Sequence, residues 1–267
     1  IRAISFTGST ATGRKIAEVT APLFKKTALE MGGKNPTVIF ADCDFESAVD
    51  GAIRAAFTNQ GQVCLCGSRI LIEDSIYEKF KQAMVKKVKL LKNGDPLDEI
   101  TRHGAVVSKA HFEKIMSYMK LAKEEGGTIL CGGEAAAVDG RCKEGWFVSP
   151  TLIESLPNTC RTNQEEIFGP VATLQSFKTE KEAIMLSNQT EYGLSASVWT
   201  TNLSRAHRMA QSIEAGVVWI NTWMARDLRT PFGGTKNSGL GREGGMEALH
   251  FFTEPKTICV QFDGGLK

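Results

Sequence analysis

The sequence lacks the features that mark several special classes of protein. In its 267 residues no apolar run approaches the ~20 residues that a membrane-crossing helix needs. The 32 Lys and Arg residues nearly balance the 30 Asp and Glu residues, so the chain has no concentrated basic character of the kind that nucleic-acid binders carry. Internal repeats and low-complexity stretches are also missing. With 42% hydrophobic and 23% charged residues, we expect a globular protein with no membrane and no nucleic-acid partner.

A disulfide framework and a metal site are both poorly supported. The seven cysteines are odd in number and irregular in spacing, which fits reduced thiols in a cytoplasmic compartment. Cys64 and Cys66 lie one residue apart, but no Cys-x-x-Cys accompanies them and the four histidines lack ligand spacing. We therefore expect a cytoplasmic protein that holds no metal.

Short apolar runs alternate with helix-length segments of 3.6-residue periodicity. The predicted strands are Ala3–Phe6, Thr37–Phe40, Ile70–Ile72, Ile129–Leu130, Val171–Phe177, Ala196–Trp199, Gly216–Ile220 and Thr257–Phe262. The predicted helices are Gly13–Val19, Asp44–Phe57, Ser75–Leu91, Ser108–Glu125, Thr179–Asn188 and Leu203–Ile213. This alternation predicts an α/β fold with a mainly parallel sheet covered on both faces. The terminal strand Thr257–Phe262 pairs either with the chain's own sheet or with another chain.

Two polar motifs lie near the start of the chain. Phe6–Gly13 places glycines between a strand and a helix, which suits contact with a phosphate, although it matches neither the dinucleotide fingerprint nor the P-loop. A plain strand–turn–helix explains it equally well. Glu30 stands in an apolar context before Gly32 and Gly33, where burial would raise its pKa toward the range of a general base. The alternative is a surface pair with Lys34.

Three further motifs supply a thiol, a pair of acids and a long loop. Phe57–Arg69 delivers Cys64 just before a strand, where backbone N–H groups can stabilise a thiolate; we expect Cys66 to be a buried structural thiol. Gln164–Val171 offers a carboxylate for a ribose and a Phe for a ring, or else an acidic loop with a core Phe. The glycine-rich loop Asn221–Glu243 is long enough to be functional.

Together, in this order and spacing, the motifs resemble those of the aldehyde dehydrogenase superfamily over essentially the whole chain. The resemblance rests on Phe-Thr-Gly-Ser at 6–9, Leu-Glu-Met-Gly-Gly-Lys-Asn-Pro at 29–36, Asn-Gln-Gly-Gln-Val-Cys at 59–64, Glu-Glu-Ile-Phe-Gly-Pro-Val at 165–171 and Pro-Phe-Gly-Gly-x-Lys-x-Ser-Gly at 231–239. It implies NAD-dependent oxidation of an aldehyde to a carboxylic acid, in which Cys64 is the nucleophile and Glu30 activates the water that hydrolyses the thioester.

The same resemblance implies a coenzyme site and a substrate class. Gly8 and Ser9 match the coenzyme diphosphate turn, Glu166 the nicotinamide-ribose ligand, and Phe168 the residue that packs beside it. The segment 223–234 resembles the aminomuconic and hydroxymuconic semialdehyde dehydrogenases, whose substrates already bear a carboxylate.

An arginine is a natural bidentate clamp for such a carboxylate. We therefore predict Arg226 first and Arg229 second as substrate-binding residues, with Phe232 in the same mouth. The alternative for Arg226 is a surface pair with Asp227.

Family members carry a long part before the Phe-Thr-Gly-Ser turn, including an oxyanion-hole asparagine that neither Asn35 nor Asn59 matches. We therefore expect a fragment that binds NAD poorly and turns over slowly or not at all. The expected parts are a coenzyme-domain remnant at 1–32, a catalytic domain at 33–236, a return segment at 237–252 and an oligomerisation strand and tail at 253–267. We also expect a homo-oligomer, a dimer or tetramer. The competing functions are a non-catalytic homologue and a thiol hydrolase that needs no nicotinamide.

Overall fold

A computed structural model describes residues 1–261, in which helices and strands alternate. The strands are β1 Ala3–Thr7, β2 Lys26–Glu30, β3 Pro36–Ile39, β4 Arg69–Glu73, β5 Thr128–Cys131, β6 Thr151–Glu154, β7 Val171–Phe177, β8 Tyr192–Gly193, β9 Ser195–Trp199, β10 Val217–Ile220, β11 Thr235–Lys236 and β12 Gly239–Leu240. The α-helices are α1 Thr10–Thr20, α2 Phe45–Phe57, α3 Tyr77–Val88, α4 Lys109–Glu124, α5 Arg161–Gln164, α6 Glu180–Asn188, α7 Leu203–Ser212 and α8 Gly245–Phe252.

The main body is a seven-stranded sheet in the order β10-β9-β3-β4-β7-β6-β5. Its pairings are parallel except that of β5 with β6. Because successive side chains of a strand point to opposite faces, Ile39 packs with Phe80 and Met84 on the α2 and α3 side. Its neighbour Val38 packs with Met209 on the α6 and α7 side. The predicted α/β fold with a mainly parallel, doubly covered sheet is confirmed.

A smaller, three-stranded sheet lies at the start of the chain. Strand β2 pairs with β1 in parallel and with β12 in antiparallel fashion. Most residues of β1 are half-buried or exposed, whereas β2 becomes fully buried over Ala28–Glu30. The backbone N–H of Met31 donates to Ser238 O at 2.9 Å. The end of β2 is thereby held between the start of the chain and the segment around β12.

The sequence analysis missed two strands of full length. Strand β2 reads Lys-Thr-Ala-Leu-Glu, and β6 reads Thr-Leu-Ile-Glu; neither has the alternation or the apolar run that marks a strand. Both form because neighbouring strands accept their backbone hydrogen bonds, which is a non-local effect. The predicted helix at Gly13–Val19 begins earlier, at Thr10, because Ser9 caps it.

The predicted strand Thr257–Phe262 is wrong for the residues that the structure describes. From Thr253 to Gln261 the chain forms no regular secondary structure and its side chains are exposed; Phe262 lies outside the described residues. A strand is stable only when a neighbour satisfies its backbone N–H and C=O groups, and within residues 1–261 this segment pairs with no other strand. Pairing with a second chain stays a prediction.

Candidate active site

Cys64 lies in a tight turn that follows the end of α2. Asn59 and Gln60 adopt left-handed backbone conformations (φ 51° and 55°), and Gly61 follows at φ 68°. The thiol then enters a turn that closes when Cys66 N–H donates to Val63 O at 2.9 Å. A Cβ on Gly61 would lie 2.0 Å from Gly169 O, so only glycine permits this loop to approach the segment that carries Glu166.

Asn35 holds the nucleophile turn in place, a role that the sequence analysis missed. Its Nδ2 donates to Cys64 O at 2.8 Å and to Cys66 O at 3.0 Å, and its Oδ1 accepts from Ser195 N–H at 3.0 Å. The side chain is 3% exposed. No pattern around Asn35 predicts these bonds, because all three partners are distant in sequence.

The environment of Cys64 disfavours its thiolate in the absence of ligand. The half-buried thiol packs against a cluster that includes Leu65, Trp219 and Trp223. Burial raises the pKa of Cys64, and the nearby carboxylates of Glu166 and Glu30 raise it further, whereas the Arg226 guanidinium lowers it. The charges of both acids and of the arginine therefore act on the thiol.

Cys66 behaves as the structural thiol that the sequence predicts. It is 7% exposed, and burial raises its pKa to about 12. The two neighbouring cysteines are therefore separated by environment: Cys64 faces the charged groups of the site, whereas Cys66 lies in the interior.

Glu30, at the end of β2, is the second candidate catalytic group. It is 4% exposed, and both carboxyl oxygens are buried without a hydrogen-bond partner within residues 1–261. Burial and the nearby Glu243 raise its pKa to about 8, while the charge of Arg242 acts in the opposite direction. The alternative surface pair with Lys34 is wrong, because Lys34 is itself buried and shares no ion pair with Glu30 in the part described.

Glu166 meets the same stretch of backbone. Its Oε1 accepts from Gly33 N–H at 3.2 Å, and a Cβ on Gly32 would lie 2.0 Å from both of its carboxyl oxygens. Glycine at position 32 is therefore required for this contact. Burial raises the pKa of Glu166 as well. Thus two motifs that lie 133 residues apart in sequence are in direct contact at Gly33.

Phe168 is half-buried, whereas the Gly8–Ser9 turn is exposed. Phe168 has a left-handed backbone (φ 60°) and belongs to the segment that carries Glu166. Gly8 N–H donates to Glu30 O at 2.9 Å, so the turn contacts the backbone of Glu30. Ser9 Oγ caps α1 by accepting from Thr12 N–H at 3.3 Å. Gly8 and Ser9 are exposed at the helix N-terminus.

The two candidate substrate arginines occupy different environments. The Arg226 guanidinium lies 4.4 Å from the centroid of the Phe232 ring, and both residues line a cavity of about 430 Å³. Cys64 does not line that cavity, although Cys64 and Phe232 pack against the same apolar cluster. Arg229 is 88% exposed and binds Asp227 (Nη2–Oδ2 2.5 Å). The alternative pair of Arg226 with Asp227 is therefore wrong, and Arg229 is turned toward solvent.

Comparisons with known proteins show to which family the chain belongs. The model of the aldehyde dehydrogenase family matches residues 1–258. The chain belongs to the aldehyde dehydrogenase family. It is 46% identical over 263 residues to a 2-aminomuconic 6-semialdehyde dehydrogenase from a Pseudomonas species, covering 98% of this chain and 54% of that one. It is 43% identical over 259 residues to 4-trimethylaminobutyraldehyde dehydrogenase A of Danio rerio, covering 97% and 51%.

A solved aldehyde dehydrogenase structure has the same fold. Betaine aldehyde dehydrogenase of Staphylococcus aureus, in complex with NAD⁺, superposes with a TM-score of 0.91 at 44% identity, covering 93% of this chain and 49% of that one. The chain thus spans about half the length of the family members that it matches. Among residues 1–261 no helix is long and apolar enough to cross a membrane. The same residues contain no group of three His, Cys, Asp or Glu side chains suited to a metal ion.

Proposed function

We propose that this chain carries the catalytic residues of an NAD-dependent aldehyde dehydrogenase that oxidises a carboxylate-bearing semialdehyde. The observation that supports this most is that the motif of Glu30 bonds the other two: Gly33 N–H donates to Glu166 Oε1 at 3.2 Å and Asn35 Nδ2 donates to Cys64 O at 2.8 Å. A soft nucleophile and a buried carboxyl with a pKa of about 8 are what oxidation through a thioester requires.

The first step belongs to Cys64. Its sulfur attacks the aldehyde carbon, a C–S bond forms, and the carbonyl π electrons move to oxygen to give a thiohemiacetal. The Cys64 backbone N–H can donate to that oxyanion. Burial raises the pKa of Cys64, so the thiol releases its proton to solvent as the C–S bond forms, and Glu30 stays available as the base for the second half of the reaction.

The residues that would hold NAD fit that group. The N-terminus of α1 carries no acidic side chain in its first turn and offers N–H donors to a diphosphate, with Gly8 and Ser9 exposed beside it. Glu166 would bind the nicotinamide ribose, and Phe168 would pack beside the ring. NAD, when bound, supplies the hydride acceptor that turns the Cys64 adduct into a thioester.

The second half of the reaction belongs to Glu30. As a carboxylate it takes a proton from water, whose oxygen adds to the thioester carbonyl; the C–S bond then breaks and releases the carboxylic acid and the Cys64 thiolate. A carboxyl pKa of about 8 makes Glu30 a stronger base than an exposed glutamate. Neither carboxyl oxygen of Glu30 has a hydrogen-bond partner within residues 1–261, so both can accept a hydrogen bond from the reacting water.

Arg226 supports the semialdehyde as substrate. Its guanidinium borders the cavity of about 430 Å³ and is stacked on Phe232, which fixes a fork that can bind a carboxylate through two hydrogen bonds. Such a cation would repel a quaternary ammonium aldehyde, so it favours the muconic semialdehyde relatives over the trimethylammonium one.

The remaining features of the proposal follow the family. We place the coenzyme-domain remnant at 1–32, the catalytic domain at 33–236, the return segment at 237–252 and the oligomerisation segment at 253–267. A homo-oligomer and a cytoplasmic location are part of the same proposal. The reaction would yield a dicarboxylate from the semialdehyde, as an intermediate of aromatic amino-acid breakdown such as tryptophan catabolism.

The test is to trap the thioester on Cys64. The purified chain, its Glu30→Gln variant and its Cys64→Ala variant are incubated with NAD and a carboxylated semialdehyde, and the acyl group is located by peptide mass spectrometry. We expect Glu30→Gln to accumulate an acylated Cys64 that needs NAD, the wild-type chain to show less, and Cys64→Ala to show none. Ester hydrolysis independent of NAD, with no NAD-dependent acylation, would favour the thiol hydrolase instead.

A further inference from the structure

One face of helix α4 is directed at the segment that carries Glu166 and Phe168. His111, Lys114 and Tyr118 stand at positions i, i+3 and i+7 of the helix, so they project on the same side. Each bonds a different residue of the segment Glu165–Phe168. Three contacts from one rigid helix to four consecutive residues fix the position of that segment.

The hydrogen bonds join both backbone and side chain. Lys114 Nζ donates to Glu166 O at 3.1 Å, and Tyr118 Oη donates to Glu165 Oε2 at 2.5 Å. His111 Nε2 lies 2.6 Å from Phe168 O. A carbonyl only accepts hydrogen bonds, so Nε2 must carry the proton.

His111 acts where the backbone is strained. Phe168 has φ 60°, a conformation that a bulky side chain keeps only when its surroundings impose it. The His111 ring bonds the Phe168 carbonyl and also packs edge-on against the Phe168 ring, with centroids 6.0 Å apart. The next residue, Gly169, lies against Ile115 of the same helix. His111 therefore contacts both the backbone carbonyl and the side-chain ring of Phe168.

We propose that His111 is a positioning residue: by bonding the Phe168 carbonyl it holds Phe168 and Glu166 in the orientation that the nicotinamide end of NAD requires. The inference rests on the proposed function for its consequence in coenzyme binding. Its structural part concerns only the segment Glu165–Gly169.

Two substitutions separate the hydrogen bond from the ring contact. His111→Gln places an amide N–H near the Nε2 position and loses the ring, whereas His111→Phe keeps a ring and loses the donor. The matched control is Glu113→Ala on the exposed side of α4, where Glu113 makes only a long ion pair with Lys109 at 3.8 Å. Thermal unfolding of each variant establishes that the chain is folded.

The experiment has one readout with coenzyme and one without it. Backbone hydrogen exchange of residues 167–171 reports the segment directly, and titration with NAD reports its affinity. We expect His111→Phe to speed exchange and to weaken NAD binding by about 10-fold, the effect of losing one partly buried hydrogen bond. His111→Gln and Glu113→Ala should stay within about twofold of the wild type.

Equal behaviour of the Phe and Gln variants, or unchanged exchange in His111→Phe, would overturn the proposal. If the wild-type chain binds no NAD, the proposed function fails for this chain, but the exchange measurement still decides whether His111 holds the segment. If exchange rises throughout the chain in His111→Phe, the role is general stability and the proposal is also overturned.

Discussion

The two sheets of this chain contribute to one site but differ in how deeply they are buried. All four residues of β3, in the seven-stranded sheet, are buried, whereas β1 of the three-stranded sheet has no buried residue. Strand β2 changes from half-buried at Lys26 to fully buried at Glu30. The candidate acid therefore lies where the small sheet enters the interior, next to the loops that the large sheet supports.

The two candidate catalytic groups differ in the same way. The turn that carries Cys64 is held by bonds from a buried amide, that of Asn35. The Glu30 carboxyl, by contrast, is buried with neither oxygen satisfied. A buried, unpartnered acid is destabilising when ionised, and this cost is what raises the pKa of Glu30 to about 8.

The largest expected effect concerns Glu30 and pH. In the folded chain Glu30 stays protonated up to about pH 8, and in the unfolded chain it ionises near its usual 4.5. Unfolding then releases the Glu30 proton between these values, so the contribution of Glu30 to the free energy of unfolding should fall as pH rises from 4.5 to about 8. Glu30→Gln should remove this fall and stabilise the chain above pH 8 by on the order of 4 kcal/mol.

Urea unfolding at several pH values measures this difference. Glu18→Gln, on the exposed side of α1, is the control and should leave the pH profile unchanged. Burial also lowers the pKa of His103 to about 4 and that of Lys34 to about 7, and both groups titrate in the wild type and in Glu30→Gln alike, so the difference between the two profiles isolates Glu30. A difference that stays constant between pH 5 and 8 would show that Glu30 is not protonated in the folded chain.

The next effect compares the two sheets directly. Ile72 in β4 is 0% exposed, so Ile72→Ala should lower the free energy of unfolding by about 3 kcal/mol through the lost contacts and the cavity. Ile4 in β1 is half-buried, and Ile4→Ala should lower it by only about 1 kcal/mol. Denaturant unfolding of both variants gives the two losses in the free energy of unfolding. Equal losses would contradict the difference in burial between the sheets.

A smaller loss is expected at the nucleophile turn. Asn35→Ala leaves two carbonyls and the Ser195 N–H without their partner, and should destabilise the chain by about 2 kcal/mol. The rate of alkylation of Cys64 by iodoacetamide should also change, because its turn is released. Asn237→Ala, on an exposed bond to Glu191, is the matched control. An unchanged Cys64 rate would mean that the turn is held by other contacts.

The smallest effect distinguishes the two arginines. The Arg226 guanidinium lowers the pKa of Cys64, so Arg226→Met should raise that pKa and slow alkylation near neutral pH by about twofold. Arg229→Met should have no effect, because Arg229 is bound to Asp227 in solvent. In a catalytic assay, Arg226→Ala should raise KM for a carboxylated semialdehyde far more than for a neutral aldehyde. Equal increases in KM for the two aldehydes would contradict the proposal that Arg226 binds the substrate carboxylate.

Local signals in the sequence predicted many elements closely. Asp44, Ser108 and Thr179 each cap the helix that was expected to begin there, by accepting from Ser47, His111 and Glu182 N–H. Such caps need only residues three positions away, so sequence suffices. Strand β2 was missed and the terminal strand was wrong because strand formation depends on a partner from elsewhere.

Some features of the candidate site were likewise predictable from the sequence, whereas others depend on contacts between distant segments. The motifs themselves are carried by the sequence, and so is membership of the family that they indicate. The bond from Asn35 to the thiol's turn, the contact of Glu166 with Gly33 and the solvent-facing direction of Arg229 depend on folding, since each joins or separates groups through the packing of distant segments.

The sequence alone determined which chemical groups are available: a cysteine just before a strand, a glutamate before two glycines, an acid and an aromatic ahead of a strand. Tertiary structure decided how those groups behave, because burial at the end of β2 raises the pKa of Glu30 to about 8 and three segments distant in sequence bring charge to Cys64. Side-chain identity is local, whereas desolvation and Coulomb interaction depend on neighbours that only the fold supplies.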